Sequence, residues 1–221
     1  MTTLENSQPQ PLSWSSWRDQ VARWPTAGRH ILAQSDEQTV VVYQAYRPEI
    51  AEWAVEHQAF GGPWSFERMS WIKPNFLWMM YRCGWATKPG QERVLAVHMR
   101  REGFDEVLRR SVESSHHPEV HGMDYDTWRR AGKRADVRLQ WDPDHGPGGD
   151  KRERRAVQLG LRGSTLRSFA TEWIVSIRDI TPQVAERRER LADRDSLTTP
   201  TETVYRPADP ELCRHLRLSA P

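Results

Sequence analysis

PWSFERMSWIKPNFLWMMYRCGWATKPGQERVLAV, residues 63–97, decides how this chain is read. Four tryptophans recur in it at seven-residue spacing, Trp64, Trp71, Trp78 and Trp85, and Arg68, Lys73, Arg82, Lys88 and Arg93 are interleaved with them. A segment that only fills a core does not normally carry so many cations among its rings. Residues 66–72 read as extended. Pro74 then opens a helix whose FLWMMY run is apolar nearly all round, which makes that helix central. Gly84 ends it, Lys88-Pro89-Gly90 turns the chain, and residues 94–99 alternate as a strand. On the helix, Trp78, Arg82 and Trp85 stand at i, i+4 and i+7, along one stripe. Rings mixed with fixed cations suit a pocket for a flat, anionic ligand.

Outward from this stretch the elements alternate. Residues 39–44, TVVVYQ, are dense in β-branched side chains and read as a strand; Pro48 opens a helix with Glu49 and Glu52 near its N-terminus. On the other side, residues 102–113 read as a helix, 116–136 as polar and irregular, 137–141 as a strand and 142–150 as a flexible loop. A strand over 156–161, a short helix over 164–171 with Ser164 as its N-cap, and a strand over 173–180 follow. A charged helix comes after Thr181-Pro182, then a Pro-rich tail expected to fray. This order predicts an α+β fold, a mixed or antiparallel sheet with flanking helices. The organisation expected is a flexible arm over residues 1–28, a single domain over 29–183, and the charged helix and tail over 184–221.

Composition narrows the function classes. Hydrophobic residues make up 37% of the 221, a low share whose deficit sits mainly at the two ends, and formal charge is only +2. The 32 basic residues include four lysines, Lys73, Lys88, Lys133 and Lys151; the other 28 are arginines. A charge this near zero argues against wholesale coating of nucleic acid but leaves room for a local basic groove. Cys83 and Cys213 stand far apart without metal spacing, which fits a reducing, cytoplasmic setting. No secretory leader and no membrane-spanning helix are expected.

Three groupings carry chemistry. Tyr43, Gln44, Tyr46 and Arg47 mark a strand-to-helix turn, where polar groups sit on a rigid edge. Arg68, Ser70, Trp71, Lys73 and Arg82 combine phosphate-binding cations with rings able to stack on a base. Trp78 and Met79 belong to the core. Glu172, just before the last strand, places a carboxylate where it can bind a ribose hydroxyl or act as a general base. Gln140, Asp142 and Gln158 are weaker candidates. The histidines 116, 117 and 121 show no recognised ligand spacing, so no metal is expected there.

Three motifs, VYQAYRPEIA at 42–51, FERMSWIKPNFLWMMYRCGWATKPGQERVLAV at 66–97 and EWIVSIRDIT at 172–181, together with the QWDP at 140–143, identify the chain as similar to the domain-of-unknown-function family 4291. That resemblance brings no activity with it. The order of elements more distantly resembles the ADP-ribosyltransferase fold, and this implies NAD as cofactor. By position, Gln44 or Arg47 takes the first-strand role, Ser70 the second-strand role and Glu172 the late-strand glutamate; VYQAY lacks the usual His or Arg and RMSW the usual Ser-Thr-Ser. The function expected is nucleotide binding, with transfer of ADP-ribose from NAD to an acceptor. In that scheme Arg68 and Lys73 hold pyrophosphate, and Tyr43 or Trp71 stacks on nicotinamide. The alternatives are a non-catalytic binder of RNA or single-stranded nucleic acid and a protein-interaction module with a Trp-rich surface.

Overall fold

A computed structural model describes residues 11–118 and 122–220. Its strands are β1 (Trp14–Ser16), β2 (Gly28–Arg29), β3 (Ile31–Ala33), β4 (Thr39–Tyr46), β5 (Ser70–Ile72), β6 (Arg93–Arg100), β7 (Ser111–Glu113), β8 (Val137–His145), β9 (Lys151–Leu161), β10 (Ile174–Asp179), β11 (Thr198–Pro200) and β12 (Thr203–Tyr205). The first four helices are α1 (Trp17–Val21), α2 (Pro48–His57), α3 (Phe76–Cys83) and α4 (Arg101–Arg109). Four more cover Tyr125–Arg134, Gly163–Thr171, Thr181–Glu189 and Pro210–His215. The fold is α+β.

Two sheets organise it. The first is antiparallel, in the order β10-β6-β4, with Tyr46 opposite Arg93 and Thr39 opposite Arg100. The second is mixed, in the order β2-β9-β8-β7, and β5 joins the edge of β9 at Leu159–Leu161. β8 and β9 form its antiparallel spine, while β2 on β9 and β7 on β8 are parallel. A backbone bridge joins the two sheets: the Tyr43 amide donates to the Lys73 carbonyl at 2.7 Å, and the Lys73 amide to the Tyr43 carbonyl at 3.2 Å.

β4 is buried on both faces, which is why Val40, Val41, Val42 and Tyr43 follow one another without polar alternation. Val40 and Val42 belong to one core with Leu95, Val97, Phe60 and Phe169. Val41 and Tyr43 belong to a second, with Phe76, Trp85, Trp17 and Ile180. α3 lies in this second core, six of its eight residues buried. Asn75 caps its start, its side-chain oxygen accepting from the Trp78 amide at 2.7 Å. Gly84 ends it in the left-handed region at φ 59°, where a residue without Cβ carries no steric penalty.

Several expectations are corrected. Residues 116–136 hold the helix Tyr125–Arg134, and the helix expected over 102–113 stops at Arg109, before β7. Of the loop expected over 142–150, residues 142–145 continue β8, with Asp144 and His145 buried, and only 146–150 form the connection to β9. Ser164 is not the N-cap of its helix. Arg162 occupies that position, and the Asp136 carboxylate accepts from the Ser164 amide at 2.9 Å, supplying the cap from a distant segment. The tail expected to fray is paired: β11 lies on β1 and β12 on β3. Of the expected arm, residues 1–10 lie outside the described residues; beyond them, Trp17 and Trp24 are buried.

Glu202 fastens this tail to the core. Its carboxylate accepts from the Phe76 amide at 2.6 Å and from Asn75 Nδ2 at 3.1 Å, at the N-terminus of α3. Its own amide donates to Gln20 at 2.8 Å, and its carbonyl accepts from the Trp24 indole at 2.9 Å. Burial pushes the carboxyl up to about 8; Asp144 adds to this, while the Phe76 amide, Arg154 and Asn75 oppose it. The folded state therefore holds this proton where an unfolded glutamic acid has lost it. The stabilisation is complete below about pH 4.5 and is lost as pH rises through about 8. His30, held below its usual value by burial, acts in the opposite direction, so the readout is the difference between wild type and Glu202→Gln. Between pH 5 and 8 the melting temperature of wild type is expected to fall relative to that of Glu202→Gln by roughly 5 °C or more. Parallel profiles would show that Glu202 does not hold its proton.

Candidate functional site

One end of β4, the start of α2, the 63–69 loop, β5 and α3 enclose a cleft of about 620 Å³ between the two sheets. Gln140 of β8 and Gln158 of β9 complete its lining, and the volume lies in the range of small-molecule sites. The parity of β4 sets which side chains reach it. Gln44 and Tyr46 share a face with Val40 and Val42 and line the cleft; Tyr43 points the opposite way.

Ser70 anchors the polar floor. Its hydroxyl oxygen accepts from Gln44 Nε2 at 2.8 Å and lies 2.9 Å from the Tyr46 hydroxyl, which in turn accepts from the Trp64 indole at 2.9 Å. Gln44 Nε2 also donates to the Trp71 carbonyl at 3.2 Å. Burial pushes the Tyr46 phenol up to about 12, against the pull of the Ser70 and Trp64 bonds, so it stays protonated at neutral pH. The Gln44 side-chain oxygen is buried without a hydrogen-bond partner. Gln158 donates to Gln140 at 3.2 Å and to Asp142 at 2.7 Å.

The charge is one-sided. Arg47, Arg68, Lys73 and Arg82 line the cleft, and its lining includes no Asp or Glu. Arg47, Arg68 and Arg82 are fully or partly exposed and form the rim; Arg47 also lies 3.4 Å from the Glu49 carboxylate. Lys73 is enclosed at 4% exposure, and among the described residues its ammonium makes no hydrogen bond or ion pair. Burial, reinforced by the like charge of Arg82, draws its amine down to about 8, with Asp142 and Cys83 opposing. Trp71 is half-buried in the wall with its ring against Gly160, where an added Cβ would stand 2.9 Å from the indole.

Of the ten sequence candidates, the structure gathers eight in this cleft: Gln44, Tyr46, Arg47, Arg68, Ser70, Trp71, Lys73 and Arg82. It leaves two outside. Tyr43 is fully buried in the second core, edge-on to Phe76 at 5.4 Å, so it is not available to stack on a ligand. Glu172 is the exposed C-cap of the Gly163–Thr171 helix. Its neighbour Ile174 lies in register with Met99 and Val40, six residues along β4 from Tyr46, or roughly 20 Å. The tryptophan spacing makes no shared surface. Trp64 packs on Phe60 in the first core and Trp85 on Phe76 in the second, while Trp78 stacks with Tyr81 and His145. Nor do Trp78, Arg82 and Trp85 form one stripe, because Trp85 lies past Gly84 with φ 54° and turns inward. Gln140 and Gln158 reach the cleft through the β8–β9 pairing, a contact that their sequence positions alone do not reveal. Among the described residues no group of three or more His, Cys, Asp or Glu could hold a metal ion, and His121 lies outside them. No described helix is long and apolar enough to cross a membrane.

Fold and cleft together define an α+β protein with a cationic, tryptophan-walled pocket between two sheets. Residues 30–205 match the family described as domain of unknown function (DUF4291), and the chain belongs to that family. No curated protein matches it.

The Tyr46 hydroxyl joins the loop residue Trp64 to the strand residue Ser70. Tyr46→Phe leaves the Trp64 N–H without its acceptor and is expected to lower stability by about 1–2 kcal/mol in chemical denaturation. An unchanged midpoint would remove this link from the cleft's support.

Proposed function

We propose that the cleft binds a phosphate-bearing ligand with a flat ring system, a nucleotide or a dinucleotide such as NAD. The observation that carries this reading is the four cations that line one pocket without a carboxylate. Guanidinium groups form bidentate, charge-assisted bonds to phosphate oxygens, and a rim of them draws an anion inward. Trp71, partly exposed in the wall, offers a stacking surface worth about 1–3 kcal/mol per base. The reading stops at binding. Glu172, the carboxylate that the resemblance to ADP-ribosyltransferases puts beside the nicotinamide ribose, is not among the lining residues.

Titration calorimetry with NAD, ADP and inorganic pyrophosphate tests the reading. At least one of them is expected to bind, and Arg68→Ala or Arg82→Ala each to weaken it about tenfold or more, in line with the loss of one charged hydrogen bond. Glu172→Gln should leave the affinity unchanged. No heat from any of the three, or equal binding by both arginine variants, sinks the proposal. Tight, steeply salt-dependent binding of single-stranded oligonucleotides in their place would favour the nucleic-acid reading.

A further inference from the structure

Lys73 is the one lysine of four that is buried; Lys88, Lys133 and Lys151 are exposed. Its position follows from the chain on either side. The Tyr43 bridge fixes its backbone on one side, and Pro74 and the capped start of α3 follow on the other. The side chain lines the cleft, where no carboxylate lies within ion-pair distance. A buried ammonium without a partner is costly, and in a purely structural position a neutral residue would serve better. The same surroundings favour the free amine. With its proton held only to about 8, a substantial fraction of Lys73 is a neutral nucleophile near physiological pH, whereas an ordinary lysine is almost wholly protonated there.

We propose that Lys73 is a covalent amine that forms an imine with a phosphate-bearing aldehyde or ketone, such as the open-chain form of a sugar phosphate whose anomeric carbon is unsubstituted, held by the arginines of the rim. This rests on the anion-binding reading of the cleft and names the chemistry of the same site. The neutral Nζ attacks the carbonyl carbon, forming a C–N bond as the carbonyl π pair moves onto oxygen. The nitrogen's two protons leave with that oxygen as water, and a C=N bond remains. No metal, oxidant or reductant is needed. Arg68 and Arg82 contribute by gripping phosphate, which raises the carbonyl's effective concentration beside the amine. Arg82 also disfavours the protonated lysine that cannot attack.

The wild-type chain serves for the test. It is incubated with pyridoxal 5′-phosphate, reduced with borohydride to trap any imine as a secondary amine, digested, and its four lysines are mapped by mass spectrometry. The expected result is an adduct on Lys73 at least tenfold above that on any exposed lysine. Inorganic pyrophosphate should suppress it, and pyridoxal, which lacks the phosphate, should barely form it. Modification of only the exposed lysines overturns the proposal. If pyrophosphate also binds by calorimetry in an Arg68- and Arg82-dependent way, the cleft reading survives that loss. Equal labelling of Lys73 by pyridoxal and its phosphate, with no pyrophosphate binding, overturns both.

Discussion

Two backbone hydrogen bonds between Tyr43 and Lys73 tie the molecule's two larger sheets to one another. β4 is an outer strand of its own sheet, paired with β6 and buried on both faces, while β5 lies on the edge of β9. The Gln44 and Tyr46 bonds to Ser70 reinforce this junction, and the cleft lies beside it. The bridge also explains why a lysine can be enclosed there. Its backbone polar groups are satisfied by Tyr43, so only the amine has to be accommodated, and the cleft supplies the opening.

The strand β4, the helix α3 and the glycine that ends it were legible because each rests on local chemistry: β-branched density, an all-round apolar run, a residue free of Cβ. The clustering of Arg68, Ser70, Lys73 and Arg82 was legible for a related reason, since they lie within fifteen residues of one another across a strand and a helix. What could not be read was facing. A strand buried on both sides has no polar face to betray its parity, so Tyr43 and Tyr46 looked equivalent although one is sealed beside Phe76 and the other lines the cleft. The Asp136 carboxylate that caps the Gly163 helix was equally invisible, because that contact exists only after β8 and β9 pair. Glu172 looked like a site residue from its place before a strand; the register of β10 puts it toward the far end of the sheet.

Electrostatically the chain is close to balanced, yet its charges are sorted. Many arginines are matched: Arg154 meets Asp144 at 2.5 Å in the interior, Arg93 bridges Glu52 and Asp179, and Arg29 and Arg217 converge on Glu113. The cations of the cleft are handled differently. Arg68, Lys73 and Arg82 make no side-chain ion pair among the described residues. Net charge cannot convey this, because what distinguishes a site is which charges lack a local counterpart.

The N-terminal cap of α3 is completed by a residue more than a hundred positions later in the chain. During synthesis from the ribosome, Asn75 can cap the helix that follows Lys73 at once, but the partner of the Phe76 amide, and of Gln20 and Trp24, arrives only with Glu202. The pocket-forming half of the protein is made early but matures late. A nascent chain halted near residue 190 lacks Glu202 and so leaves the Phe76 amide and Asn75 Nδ2 without the carboxylate that binds both.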